Sequence, residues 1–387
     1  MLSIFYIFVK KKTATMMKPF LMTASALLAA ASLQAQNSLR MLVGTYTEHT
    51  SAEGVYLYSF DQETARAVLL DTAKTGNPSF VLPSPDRRFA YAVSEYADGR
   101  QGACSLRLGD DTVDFLNWQP SAGTTTGADP CNILCWNGHV ITANYTGGSV
   151  SVFPIGEDGL LEPMQEEFSL DWSYDSEAAS KILPEVVSHM HCAVLSPDGK
   201  YLFVTDLGAE CIHRFTLTEN RVLGDHVIAH RFPRLAKTGP RHMVFSADGR
   251  FAYLLSEPGD LLTVFKYGNG RLETVHSVKA YTGGGHGSAD IHLFPDGRFL
   301  YTSHRLKEDG IAVFSVDPVK GRVKKVGYTP TGTHPRNFAI TPNGKYLLCA
   351  CRDTGAIEIY AIDAATGLLT DTGGRIEIPA PVCISLF

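Results

Sequence analysis

One turn phrase recurs along this chain and fixes its architecture more tightly than any other feature. It reads Ser84-Pro85-Asp86, Ser196-Pro197-Asp198-Gly199, Ser246-Ala247-Asp248-Gly249, Phe294-Pro295-Asp296-Gly297 and Thr341-Pro342-Asn343-Gly344, with Trp136-Asn137-Gly138 as a sixth, degenerate copy. The Asp or Asn positions fall 51, 61, 50, 48 and 47 residues apart. A period near this length belongs to repeat architectures, in which each unit buries its apolar face only against its neighbours. A short apolar run precedes each turn and an alternating one follows, as in Tyr201-Leu202-Phe203-Val204 and Phe251-Ala252-Tyr253-Leu254-Leu255. Such aromatic and β-branched runs are strands, and Pro-Asp-Gly supplies the backbone angles of a tight hairpin. A third strand follows, such as Ile311-Ala312-Val313-Phe314, and a fourth starts after a Gly, as at Gly321-Arg322-Val323. Four antiparallel strands per repeat make a propeller blade.

The count predicts an all-β, seven-bladed propeller with four antiparallel strands per blade. Met41–Tyr46 aligns with the strand that follows a turn, so the N-terminal blade lacks its pre-turn strand; Ile378–Ile384 is read as that strand. A C-terminal strand joining the N-terminal blade closes the ring and leaves no open edge. Two stacked sandwiches would not explain the fixed period. A lengthened step marks 162–187 as a loop insertion, rich in Glu and Asp.

Composition agrees with this reading. Hydrophobic residues make up 44% of 387 residues, enough for a core, and Asp+Glu (40) exceed Lys+Arg (34), so no basic field suggests nucleic acid. Lys10, Lys11, Lys12 and Lys18 precede an apolar run from Phe20 to Ala31, short for a membrane span and suited to a cleavable export signal. Residues 1–35 are therefore read as signal peptide and 36–387 as a single domain, exported to the periplasm, with no membrane span after cleavage and a monomer expected. The eight Cys show no zinc-ligand spacing and are read as buried small hydrophobes.

Strand geometry selects the candidate site. Residues six to eight before each turn proline, and nine to ten after it, meet at one face of the ring. These positions include His189, His191, Arg241, His334 and Arg336 before the turns, and Glu95, Asp206, Glu257, His304 and Arg305 after them. Arginines, histidines and acids thus converge on one mouth, a combination that apolar cores rarely assemble without a role. His189-x-His191 with Asp206 has metal-ligand chemistry, but the nearby arginines repel a dication, so neither metal nor other cofactor is expected. Arginine suits an anionic group through bidentate pairing.

These motifs resemble the seven-bladed propeller lactonase family, of the 6-phosphogluconolactonase type, which includes carboxymuconate-cyclising enzymes. The resemblance runs from about residue 40 to the end. It is carried by Val43-Gly44-Thr45-Tyr46-Thr47, Asn144-Tyr145-Thr146-Gly147-Gly148, His189-Met190-His191 through Asp206-Leu207-Gly208, Gly239-Pro240-Arg241-His242 and Tyr301-Thr302-Ser303-His304-Arg305. It implies an active site that uses a His of the His-x-His pair, Arg241, Glu257 and Arg305. The family phrase has Asn where this chain has His304, and the first turn carries Arg87 in place of Gly.

The function expected is hydrolysis of a small anionic or sugar-type lactone. Catalysis falls to His191 as base, Arg241 as oxyanion partner and Glu257 as orienting carboxylate. His189, Arg305, Arg336, Glu95 and Asp206 contact substrate. No Ser nucleophile elbow is present, so no acyl-enzyme is expected. Two other readings are cycloisomerisation of an unsaturated dicarboxylate and non-catalytic binding of a ligand or partner. Export favours a lactone without phosphate.

Overall fold

The computed structural model describes residues 38–121, 126–170, 186–219, 221–233 and 236–387. The segment read as signal peptide, and 171–185 of the acidic insertion, lie outside these residues. Among the described residues the chain forms seven four-stranded antiparallel sheets and no α-helix. Six blades each pair four consecutive strands. The first places the last strand, β28 (Pro381–Leu386), beside β1 (Ser38–Thr45), with Met41 opposite Leu386 and Val43 opposite Ile384. The expected ring closure is present, by a strand that begins three residues later than the apolar run suggested. The described part of 162–187 includes β11 (Glu166–Ser169), the outer strand of its blade.

The four turns that open on Ser or Thr are locked by that hydroxyl. The hydroxyl of Ser196 bonds the Asp198 carboxylate at 2.6 Å and accepts the Tyr201 N–H at 3.0 Å; Thr341 does the same with Asn343 and Tyr346 at 2.7 and 3.0 Å. The glycine that follows is left-handed, with φ of 66° at Gly199 and 71° at Gly344. Arg87 takes up the same conformation, φ 59°, at the turn without glycine.

The inner strands are β4 (Val81–Pro83), β8 (Pro130–Trp136), β12 (Met190–Leu195), β16 (Pro240–Phe245), β20 (Gly287–Leu293), β24 (Pro335–Ile340) and β28. Each packs beside the next around the ring. Apolar clusters fill the wedges between blades: Leu348, Ile357 and Ile359 of the last blade pack with Met41, Val43 and Phe60 of the first. Burial of this kind supplies most of the favourable free energy, on the order of 25 cal/mol per Å² of apolar surface. All eight cysteines are free thiols, and seven are buried.

Candidate active site

The mouth is built by a repeated irregularity. Where an inner strand enters the ring, one extra residue bulges out of register with the following strand. In β12 the register jumps from Met190 to Cys192, skipping His191; in β16 from Pro240 to His242, skipping Arg241; in β24 from Pro335 to Asn337, skipping Arg336. Bulges at the matching points of β8 and β28 release Cys131 and Val382. A bulge bends the strand and re-aims the unpaired residue. Cys131, His191, Arg241, Arg336 and Val382 accordingly line one cavity on the ring axis. The residue two places before the bulge is often left-handed, as at Gly239 (φ 61°) and His334 (φ 63°), with a proline between them.

Two arginines share one carboxylate. Glu257 Oε2 accepts from Arg241 Nε at 2.8 Å, and its Oε1 accepts from Arg305 Nη2 at 2.6 Å. Arg241 is 1% exposed and also donates to the Ala289 carbonyl. Arg305 donates to the Gly287 carbonyl at 3.1 Å and, from Nη1, to His334 Nε2 at 3.2 Å. Burial pushes the Glu257 pKa up, but Arg241 and Arg305 more than offset this and hold it below the usual carboxylate range. Burial, then the Arg241 charge, push the Arg305 pKa down, to about 9, so it stays a cation at neutral pH.

Arg336 differs from both. It pairs with Glu95 Oε2 at 3.6 Å and lies over the Tyr46 ring at 5.3 Å, and among the described residues its guanidinium makes no hydrogen bond. The Glu95 carboxylate is held by Tyr46 Oη at 2.8 Å and by the Ser79 hydroxyl. Arg336 thus presents free donors at the mouth. A cleft of about 570 Å³ opens on the same face, with Tyr46 as the shared wall.

The two histidines of the His-x-His pair part company. His189 Nδ1 lies 2.9 Å from the Tyr145 carbonyl, which can only accept, so Nδ1 carries the proton. Its ring stacks on Tyr145 at 4.5 Å. His191 is 4% exposed and meets the edges of Tyr145 and His242 at 5.6 and 5.1 Å. Burial, Arg241, His242 and Arg336 hold its pKa well below the ordinary histidine value.

Asp206 does not join the arginines. It is fully buried, accepts the backbone N–H groups of His189 and Ala209, both at 2.8 Å, and takes the Ser188 hydroxyl. It braces the loop that carries His189. Its Oδ2 also faces His213 Nε2 at 3.3 Å, and Cys211 Sγ lies 3.4 Å from the same nitrogen. Asp206, Cys211 and His213 are the one group with metal-ligand spacing among the described residues. They sit at the hairpin joining β13 (Tyr201–Asp206) and β14 (Cys211–Thr216), a different group from the His189-x-His191 pair that sequence suggested. The structure therefore brings His191, Arg241, Glu257, Arg305, Arg336 and Glu95 together, places His189 at the rim through Tyr145, and leaves Asp206 as a brace.

Sequence reasoning overlooked the residues next to the bulges. His242 Nδ1 lies 2.8 Å from Asp290 Oδ1, and Asn337 Nδ2 donates to Asp290 Oδ2 at 2.6 Å. Asn337 Oδ1 accepts the Ile384 N–H at 2.7 Å, and Asn132 Oδ1 accepts that of Ala193 at 2.9 Å. These side chains stitch one inner strand to the next. The prolines at 130, 240, 335 and 381, each just before a bulge residue, were the signal that locates this ring.

Fold and mouth together define a seven-bladed propeller with an arginine–glutamate cluster at one end of the ring. The chain belongs to the seven-bladed β-propeller lactonase family: the profile described as "Lactonase, 7-bladed beta-propeller" matches residues 40–386. A 6-phosphogluconolactonase of Formosa agariphila is 32% identical over 359 residues, covering 90% of this chain and 99% of that one. Among solved structures, a candidate 6-phosphogluconolactonase of Bacteroides uniformis is 44% identical with a TM-score of 0.84, covering 91% of this chain and all of the other. The periplasmic gluconolactonase of Pseudomonas aeruginosa is 32% identical with a TM-score of 0.80, covering 90% and 99%. The protein is a lactone hydrolase, and the charged mouth described above is its candidate active site.

Proposed function

We propose that the protein opens an unphosphorylated sugar lactone of the aldonolactone type in an exported compartment. The charge balance of the mouth carries this reading. Arg241, Arg305 and Arg336 face Glu257 and Glu95, so three cations meet two anions and one positive charge remains. One charge matches a single oxyanion developing on a carbonyl; a phosphate dianion would be under-compensated. Arg336, with unspent donors, is the oxyanion partner, while Arg241 and Arg305 are held by Glu257 as a rigid wall. Half-buried Glu257, ionised and bonded on both oxygens, orients the arginines and is a poor base. His189 and Tyr145 offer a ring face and a ring nitrogen at the rim for sugar hydroxyls. The export signal read in 1–35 and the likeness to a gluconolactonase named as periplasmic support the compartment.

The test is hydrolysis by protein starting at Gln36 of glucono-lactone, a uronolactone and a 6-phospholactone, followed by acid release at slightly acidic pH. The expected result is preference for the unphosphorylated lactone and loss of turnover in Arg336→Gln. Preference for the phospholactone overturns the substrate reading.

A further inference from the structure

The axial cavity beneath the arginines holds a pair of facing histidines that the reading above leaves unused. Its volume is about 10 Å³, the space of one water. Two of its lining residues carry a buried ring nitrogen with no partner: His191 Nδ1 and His242 Nε2. The rings meet edge to face at 5.1 Å. An unpaired buried polar atom is costly, and a pair of them at one polar cavity marks a binding position.

The tautomer of His242 is set from behind. Asp290 is 3% exposed and its pKa lies far below the usual range: burial raises it, but His292 and His242 outweigh burial. As an ionised acceptor it requires the proton of His242 on Nδ1, which leaves Nε2 as a lone pair. Asp290 is itself fixed by His292 Nε2 at 2.9 Å, Asn337 Nδ2 at 2.6 Å and the N–H groups of Ile291 and Phe338 at 2.9 and 3.3 Å. Burial, then Arg241, push the His242 pKa down to about 4, so the ring is neutral and able to accept.

Building on the lactonase reading, we infer that His191 Nδ1 and His242 Nε2 hold the hydrolytic water, and that the Asp290-oriented His242 is the base that deprotonates it. A water that donates to both nitrogens has its lone pairs turned to the remaining walls, where Arg241 and Arg336 stand. The lactone carbonyl, placed on Arg336, then receives the attack. One water proton moves to His242 Nε2 as the oxygen bonds the carbonyl carbon. The carbonyl π pair moves to oxygen and rests against Arg336. Collapse breaks the ring acyl C–O bond, and the His242 imidazolium returns its proton to the leaving alkoxide. The product is the open hydroxy acid, which releases one proton to solvent.

Two measurements test this. A high-resolution crystal structure of the wild-type protein is expected to show an ordered water within hydrogen-bond distance of both nitrogens; a dry cavity overturns the inference and leaves the lactonase reading intact. In the kinetic arm, His242→Gln and Asp290→Asn are expected to lower kcat on glucono-lactone about 10²-fold or more with KM nearly unchanged. Retention of kcat within a few-fold in either variant overturns the inference. Where a variant fails to fold, ¹⁵N NMR of the wild-type decides: His242 protonated on Nδ1 alone supports the inference, and protonation on Nε2 overturns it. A water in place on a protein that opens no lactone overturns the lactonase reading and the catalytic step with it.

Discussion

Arg241 Nε and Glu257 Oε2 are bonded at 2.8 Å across neighbouring strands of one blade. Pro240 pairs with Ser256 in the ladder between β16 and β17 (Phe251–Ser256), so the bulge residue of one strand and the first residue beyond the other are placed side by side. The same carboxylate reaches Arg305 in the next blade. Glu257 therefore does two jobs, bracing the mouth and tying two blades together.

Removing it leaves two buried guanidinium groups without a counter-charge. Glu257→Ala is expected to destabilise the fold by about 3–5 kcal/mol and to abolish turnover. Denaturant unfolding and lactone hydrolysis check both. Unchanged stability would show that the two arginines find other partners.

Arg336→Gln is expected to separate activity from stability. Its ion pair with Glu95 is long, at 3.6 Å, and Glu95 keeps its bonds to Tyr46 and Ser79. Turnover should fall about 10²–10³-fold, as when an oxyanion donor is removed. The melting temperature should move by only a few degrees. A loss of stability without loss of kcat contradicts the role.

Stability should decline as pH falls below about 6.5. Burial holds the pKa of His226 and His242 down to about 4 and that of His304 and His334 to about 3, and also lowers His191 and His230. Unfolded histidines titrate near 6.5. Between these values the unfolded chain binds more protons, so the stability present above pH 6.5 is lost as pH drops towards 4. His292 opposes this, its pKa being raised by Asp290 against the pull of burial. The lowered carboxylates Glu257, Asp206 and Asp290 cost stability only at more acidic pH. Melting curves at pH 7.5 and 5 should show the lower temperature at pH 5; a flat profile refutes the assignment.

Arg87→Gly should stabilise. Arg87 holds φ 59° where Gly199, Gly249, Gly297 and Gly344 hold 66°, 69°, 76° and 71°. Relief of that strain is worth about 1 kcal/mol, in part offset by the entropy of an added glycine. A higher urea midpoint with unchanged slope is the expected reading.

Thiol reagents give a further check. Native protein should react at most at half-buried Cys135, and unfolded protein at all eight cysteines. Fewer than eight after unfolding would reveal a disulfide.

The ring and its closure were legible because the turn phrase marks the same point in each blade, and Met41–Tyr46 lacked a strand that the C-terminus could supply. Arg241, Glu257 and Arg305 were legible because the period places them at one end of the ring. The bulges were not, because strict alternation predicts that His189 and His191 face the same way. The extra residue in β12 breaks that rule and sends His191 to the axis and His189 to Tyr145. Asp206 was read as a substrate contact because residue type says nothing of whether a carboxylate meets a ligand or its own backbone amides. His242 escaped notice because its partner, Asp290, lies in another blade and 48 positions away in the chain.

The first blade of this protein is the last to be finished. β28, the strand that covers the inner edge of β1, follows every other strand along the chain. Until β28 is in place, β1 exposes unpaired backbone groups and the ring stays open. Folding from the N-terminus as each unit emerges, the habit of many multidomain chains, cannot complete this molecule. Loss of β28 would therefore leave an open arc with an unpaired edge on β1, in place of a slightly shorter enzyme.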